Sequence, residues 1–351
     1  MPVDEAKLQK FMEKMVGDLG AAMGAALVIV GDKLGLYKAM AGAGAISSAD
    51  LATKTATDER YVREWLAAQA AAGYIEYDSA SQRFTLPPEQ ELVFAVEGSP
   101  VFMPGAFEII ASILRDEPKI AEAFKSGRGV GWHEHDPSLF SGTERFFRPG
   151  YAVHLVDEWL PALEGVRDRL ERGIEVADVG CGHGSSTILM AKAFPKSKFV
   201  GFDYHQPSLD RAAAAAKEAG VTNVRFERAL AKEYPGKNYG LVAFFDCLHD
   251  MGDPVGASAH VRQTLAPDGT WMIVEPFAGD SVQENLNPIG RTFYSASTMI
   301  CTPASRSQEV GLALGTQAGE KRLREVVTAG GFTRFRRAAQ TPFNLVLEAR
   351  P

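Results

Sequence analysis

The sequence predicts an α/β fold with a mainly parallel sheet, preceded by a mainly helical domain that ends in a hairpin. Three observations carry this expectation. From about residue 174 short apolar runs alternate with helical segments, the order that lays parallel strands in one sheet with helices on its faces. The first 98 residues read as helices followed by a hairpin. Between these zones and the last, a glycine-rich turn, Gly180-Cys-Gly-His-Gly184, joins an apolar run to a helix.

Taken in order, residues 4–24 place Leu8, Phe11, Met12 and Met15 at helical spacing. A second helix is expected over residues 26–40, closed by Gly42 and Gly44. Ser47 or Ser48 caps a short helix to Lys54, and Thr57 caps another that Gly73 ends. Alternation in Tyr74-Ile-Glu-Tyr77 and Arg83-Phe-Thr-Leu86, around a polar turn, reads as a hairpin. This is the winged-helix order. Residues 99–172 read as mostly helical, over 105–115, 118–125 and 144–171, with a Gly/His loop at 127–136. In that loop His133 and His135 flank Glu134, but no strand places both rings on one side, so a solvated loop is expected rather than a metal. Strands are then expected over 174–179, 199–202, 224–226, 241–245, 270–274 and 343–347, and helices over 185–194, 207–218, 255–265 and 320–329. The expected domains are 1–98, 99–172 and 173–351.

Composition excludes several classes. The chain has 351 residues, 46% apolar and 23% charged, with a net charge of -7, so it buries a core and does not attract phosphate in bulk. Three cysteines, Cys181, Cys247 and Cys301, without CxxC spacing argue against a disulfide framework and point to a reducing cytoplasm. The apolar run from Gly20 stops at Asp32, short of the roughly 20 residues that span a bilayer. The polar N-terminus shows no basic n-region, so no signal peptide is expected. A winged helix invites a DNA-binding reading. Residues 1–100, however, hold nine Lys and Arg against fourteen Asp and Glu, and the would-be recognition helix begins Asp58-Glu-Arg-Tyr-Val-Arg-Glu64. A phosphate-binding face needs the opposite balance. Packing and dimerisation are the expected uses of this domain.

The chemistry concentrates where strands end. In Val176-Ala-Asp-Val-Gly-Cys-Gly-His-Gly-Ser185 the glycine spacing is G-x-G-x-G, with Ser185 where a dinucleotide fingerprint has its third glycine. The acid Asp178 precedes the turn, which suits a ligand that carries a cation and no pyrophosphate. Asp203, ending the next strand, can accept both hydroxyls of a ribose. These motifs, with Leu265-Ala-Pro-Asp-Gly269 downstream, resemble those of class I S-adenosylmethionine-dependent methyltransferases. The resemblance implies a Rossmann-like seven-stranded sheet, with S-adenosyl-L-methionine held by Asp178, Gly180, Cys181, Gly182, Gly184, Asp203, Tyr204 and Asp246.

Phe245-Asp-Cys-Leu-His-Asp-Met251 resembles the His-Asp segment of small-molecule O-methyltransferases of plants and bacteria. On that resemblance His249 is the general base and Glu275, ending Trp271-Met-Ile-Val-Glu, orients it. Methyl transfer is an in-line displacement, so the protein's work is to align the acceptor and remove its proton. An imidazole with a carboxylate fixing its tautomer suits that task. The resemblance extends to Phe147-Arg-Pro-Gly-Tyr151-Ala-Val-His154, where Phe147, Tyr151 and His154 share a helical face and are expected to meet the acceptor; an ordinary core face fits the same spacing. Two departures stand out. Ala229 occupies the place of the acid expected near the adenine amine, and a third catalytic acid has only Glu320 as a candidate. Residues 276–316 form a long insertion with Asn287, Arg291, Tyr294, Ser295 and Cys301, expected to shape the acceptor pocket. The expectation is a homodimeric S-adenosylmethionine-dependent O-methyltransferase acting on a small aromatic or apolar acceptor. A ligand-sensing transcription regulator and an N- or C-methyltransferase that does not use His249 as base are the alternatives.

Overall fold

The computed structural model describes residues 2–351. They form two compact units, one made of residues up to Ser112 with Ser141–Pro149, the other of Ile113–Phe140 with Gly150–Pro351. The segment 99–172 is therefore divided between them.

The first unit opens with helix α1, Glu5–Lys33, whose N-terminus Asp4 caps by accepting from the Ala6 and Lys7 amides. The break expected near residue 25 does not occur. Gly20 and Gly24 stand in the helix where an added Cβ would meet no other part of the chain within 4 Å, and a lone glycine costs only ~1 kcal/mol. The stop comes at Gly35, which takes the left-handed conformation (φ 69) ahead of α2, Leu36–Met40. Ser47 caps α3, Ser48–Thr55. Asp58, not Thr57, caps α4, Glu59–Ala71, because its carboxylate takes the Arg60 and Tyr61 amides while the Thr57 hydroxyl pairs with Thr55. Strands β1, Glu76–Asp78, and β2, Arg83–Thr85, form the hairpin, and α5, Pro88–Phe94, follows. Gly31 lets α1 approach closely, since a Cβ there would sit 2.5 Å from the Trp65 ring and 2.7 Å from Tyr37. Val28, Tyr37, Leu51, Trp65 and Leu66 fill the core around that contact.

Counting uninterrupted apolar residues understated α1. Over its length the helix is predominantly apolar, and little of its apolar stretch is buried. By length and composition alone it is long and apolar enough to cross a membrane, because its overall composition tolerates the isolated charges at which a run ends.

Helix α6, Pro104–Ser126, is continuous through Pro118, where two helices were expected. Its second half is held by buried Ile120 and by Asp116, which accepts from Lys119, the Asp136 amide and His135. His135 is thus a buried strut rather than part of a solvated loop, while His133 is exposed. In α7, Ser138–His154, Arg145 reaches Asp32 at 2.8 Å and also Glu108, which fastens residues 141–149 to the first unit. The helix expected over 144–171 is interrupted. A π-turn at Leu155–Trp159 leads into α8, Leu160–Ala162, and Gly165 (φ 66) separates it from α9, Val166–Arg172.

The second unit carries β3 Glu175–Val179, α10 Ser185–Ala193, β4 Lys198–Asp203, α11 Gln206–Glu218, β5 Val224–Arg228, β6 Tyr239–Phe245, α12 Pro254–Thr264 and β7 Leu265–Pro276. After the insertion, with α13 Pro288–Ala296 and α14 Thr302–Arg306, come α15 Gly319–Ala329, β8 Arg334–Gln340 and β9 Asn344–Arg350. One seven-stranded sheet results, in the order β5-β4-β3-β6-β7-β9-β8. The first five strands are mutually parallel, and β9 pairs antiparallel with both β7 and β8, so it alone runs against the rest. Strand order reverses between β3 and β6, and the cleft at such a switch point is where open α/β sheets bind ligands. Strand β8 was not expected. Its sequence, Arg-Phe-Arg-Arg-Ala-Ala-Gln, carries the charges of an edge strand and no apolar alternation.

Candidate active site

The site is built at the carboxyl ends of β3, β4, β6 and β7. After β3 the chain turns sharply, and the Gly180 and Cys181 amides both donate to the Phe202 carbonyl, at 2.8 and 3.0 Å. Gly180 (φ 76) and Gly182 (φ 51) are left-handed, a conformation glycine takes without strain. A Cβ on Gly180 would strike the Cys247 sulfur at 2.8 Å, whereas over Gly182 nothing lies within 4 Å. Gly184 precedes α10, and a Cβ there would meet the Phe226 ring at 2.8 Å.

Three carboxylates surround this turn. Asp178 is fully buried; its Oδ2 accepts from the Ser186 and Thr187 hydroxyls, and its Oδ1 accepts no hydrogen bond. Burial raises this carboxyl to about 6 despite those hydroxyls. Asp203 takes the Gly182 amide on Oδ2 (3.0 Å) and the His205 amide on Oδ1 (2.9 Å), and burial holds its pKa above the usual value. Asp246 follows β6 at a positive φ of 49; Tyr151 donates to its Oδ2 at 2.7 Å and Asn344 to its Oδ1 at 3.2 Å. Burial, with Glu275 nearby, pushes the Asp246 carboxyl to about 7 although the Tyr151 hydroxyl pulls it back.

His249 lies in a single 3-10 turn, Leu248–Asp250, directly after β6. Its Nδ1 stands 2.5 Å from Oε2 of Glu275 on β7, and the other Glu275 oxygen accepts from the Leu248 amide at 2.9 Å. The β6–β7 register and the Asp246 amide bond to Val274 set the two residues side by side. Burial draws the imidazole pKa down, but Glu275 and Asp250 outweigh it and hold it well above the usual value. Both were legible, and the geometry brings them together.

The remaining residues fall as follows. The Cys181 thiol is buried and kept protonated by that burial. Tyr204 accepts from Arg228 on its carbonyl and lays its ring against His133. Ala229 donates its amide to the Asp203 carbonyl. Tyr151 packs against Phe245 and Trp159. His154 stacks on Trp159 and bonds Glu158 at 2.8 Å. Phe147 belongs to the first unit, edge-to-face with Phe146. Glu320 is engaged by Arg324 and Arg337, at 2.8 and 2.7 Å. Sequence reasoning gave no role to Asp250, whose Oδ1 lies 3.2 Å from His249 Nε2 and whose Oδ2 accepts from Trp132 at 2.9 Å. Its signal was the His-Asp pair itself; Trp132, more than a hundred residues away, had none. The insertion is sewn to this turn: Ser305 donates to the Met251 carbonyl, and Gln308 donates to the Asp250 carbonyl and accepts from the Gly252 amide.

The chain is similar to known proteins in its domains and fold. Residues 21–95 match the Rv2258c-like winged HTH domain and residues 170–331 match a methyltransferase domain. A tRNA (guanine-N(7)-)-methyltransferase of Aliivibrio fischeri (strain MJ11) is 48% identical over 50 residues, 14% of this chain. The chain spans about a fifth of the length of the curated relatives it matches, 21% in that case. The mitomycin 7-O-methyltransferase MmcR superposes with a TM-score of 0.73 at 17% identity, covering 99% of this chain and 100% of its own. Human N-acetylserotonin methyltransferase, solved in complex with SAM, gives 0.71 at 16% identity, covering 100% and 99%. The two structural likenesses extend over the whole chain and establish its fold. Residues 21–95 are a winged helix-turn-helix domain of the Rv2258c-like type, and residues 170–331 are a methyltransferase domain.

Proposed function

We propose that this protein transfers the methyl group of S-adenosylmethionine to a hydroxyl of a small, aromatic or apolar acceptor, with His249 as general base. The observation that carries the reading is the buried His249–Glu275 pair beside the glycine turn of a methyltransferase domain. The whole-chain likeness to the structures of mitomycin 7-O-methyltransferase and N-acetylserotonin methyltransferase supports the acceptor class.

The residues at the switch point fit S-adenosylmethionine. Open space over Gly182 admits a ligand to the backbone, and the unpaired Asp178 Oδ1 is a buried acceptor that a cationic group satisfies. Asp203 accepts one amide on each oxygen, which leaves lone pairs for the two ribose hydroxyls. When bound, the molecule supplies a methyl group on a positively charged sulfur. Asp178 and Asp246 place negative charge at the ends of β3 and β6, and Gly180, Cys181, Gly184 and Tyr204 shape the surrounding turn. Glu275 holds Nδ1, so Nε2 is the nitrogen that receives the acceptor proton. Tyr151 and His154, with Asn287, Arg291, Tyr294 and Ser295 of the insertion, bound the acceptor within the second unit. The winged-helix domain serves dimerisation. Its candidate DNA-facing cations are engaged within the unit: Arg60 pairs with Glu64 at 2.6 Å, Arg63 with Glu59 at 2.5 Å and Arg83 with Asp50 at 3.7 Å.

Titration calorimetry with S-adenosylhomocysteine, paired with turnover of His249→Ala on a panel of phenols, tests the reading. We expect binding in wild type and variant alike, and turnover reduced by ~10²–10⁴-fold in the variant. Absence of binding overturns the cofactor assignment; near-normal turnover overturns the base. Because the neutral imidazole is the base and its pKa is raised, kcat/KM should climb with pH on a limb above about 6.5.

A further inference from the structure

A ring nitrogen of His249, a carboxylate oxygen of Asp250 and Cys301 Sγ converge in the second unit, all within 4.8 Å of one another and all on buried residues, with His249 Nε2 and Asp250 Oδ1 3.2 Å apart. Asp250 is 8% exposed, and its buried Oδ1 faces that ring nitrogen. Imidazole, carboxylate and thiolate are the donors zinc prefers, and three protein ligands leave a fourth position open. The groups behind them are also in place. Metal-bound histidines nearly always hand their other ring nitrogen to a carboxylate, and ligating carboxylates are hydrogen-bonded in turn. Here Glu275 holds His249 Nδ1, and Trp132 donates to the far oxygen of Asp250 at 2.9 Å. Cys301 ends a π-helical turn, Ser297–Cys301, of the insertion; such turns interrupt a helix at functional sites. That distortion and the Ser305 and Gln308 bonds to the His-Asp turn fix the thiol against the other two ligands.

We infer that His249, Asp250 and Cys301 form a binding site for a divalent metal of zinc type, and that occupancy switches the enzyme off. Binding replaces the thiol proton of Cys301 with a sulfur–metal bond and releases that proton to solvent. It also uses the Nε2 lone pair that would otherwise take the acceptor proton. Inhibition therefore rests on the general-base reading, whereas binding does not.

Cobalt and zinc serve as the probes, on the full chain freed of metal by chelation and dialysis. One equivalent of Co²⁺ should produce a thiolate-to-cobalt charge-transfer band, and Zn²⁺ should abolish it. Cys301→Ser should lose the band and weaken Zn²⁺ binding at least about tenfold, while Cys247→Ser keeps both. Asp250→Asn, nearly isosteric, guards against a Cys301 variant that fails to fold, and circular dichroism checks both. A cobalt spectrum without sulfur character, or Zn²⁺ binding unchanged in both variants, overturns the site. If Zn²⁺ binds as described yet leaves methyl transfer unaffected, the site stands and the switch is overturned, together with the Nε2 base. Loss of turnover in His249→Ala with no metal binding in wild type removes the site alone.

Discussion

At the scale of single residues, burial rather than sequence decides protonation. Asp178 looks like any strand-end aspartate, yet burial brings its carboxyl to about 6. Between the unfolded value near 3.9 and that folded value, the native state binds more protons than the unfolded chain. Ligand-free stability should therefore fall as pH rises through about 6, and Asp246, raised to about 7, adds the same sign. Asp178→Asn keeps an acceptor for Ser186 and Thr187 but does not titrate, so thermal melts from pH 4.5 to 7.5 should show a shallower decline. It should also weaken S-adenosylhomocysteine binding by about tenfold or more, the ~1.5–3 kcal/mol of a charged hydrogen bond. Parallel melting curves for wild type and variant, with equal affinities, would remove Asp178 from the cofactor site. Glu275 was legible as the partner of His249 because both end neighbouring strands. Trp132 on Asp250 was not, because a contact across 118 positions leaves no local pattern.

At the scale of elements, the glycine turn separates packing from binding. Gly184 and Gly182 are both left-handed, but a side chain on Gly184 enters the Phe226 ring and the Ala212 methyl, while one on Gly182 enters open space. Gly184→Val should cost ~1–3 kcal/mol for overpacking beyond the ~1–2 kcal/mol of the left-handed conformation. Gly182→Ala should cost only the conformational part but weaken S-adenosylhomocysteine binding disproportionately. Urea denaturation and calorimetry on the pair check this; a larger stability loss at Gly182 would refute the placement of the ligand. Alternation of strand and helix made most elements visible, and caps placed their starts to within a residue or so, as at Asp58. The failures have two causes. Pro118, Gly20 and Gly24 are local helix breakers whose cost the rest of the helix absorbs, and β8 is an edge strand whose residues do not alternate in burial.

At the scale of the whole molecule, α1 leaves Leu8, Phe11, Met12, Met15, Val16, Leu19 and Met23 exposed, an apolar face beyond what a monomer ordinarily shows to water. The dimer proposed above covers it. Light scattering should give twice the chain mass of 37.9 kDa, and Met12→Glu with Leu19→Glu should give the monomer with its melting cooperativity intact. A monomeric wild type that partitions onto lipid vesicles would assign the face to a membrane instead. By itself the sequence determined the helical winged-helix order ahead of an α/β sheet, the switch-point glycine turn with Asp178 and Asp203, and the strand-end positions of His249 and Glu275, because each is written in local period, in spacing, or in neighbouring strand ends. Only the tertiary structure decided that Asp246 is held by Tyr151 and Asn344, that His154 turns to Glu158 and Trp159, and that Cys301 and Asp250 meet at the far nitrogen of His249. Those contacts join residues by packing across the second unit, and packing is set by shape and burial in three dimensions, which no periodicity along the chain records.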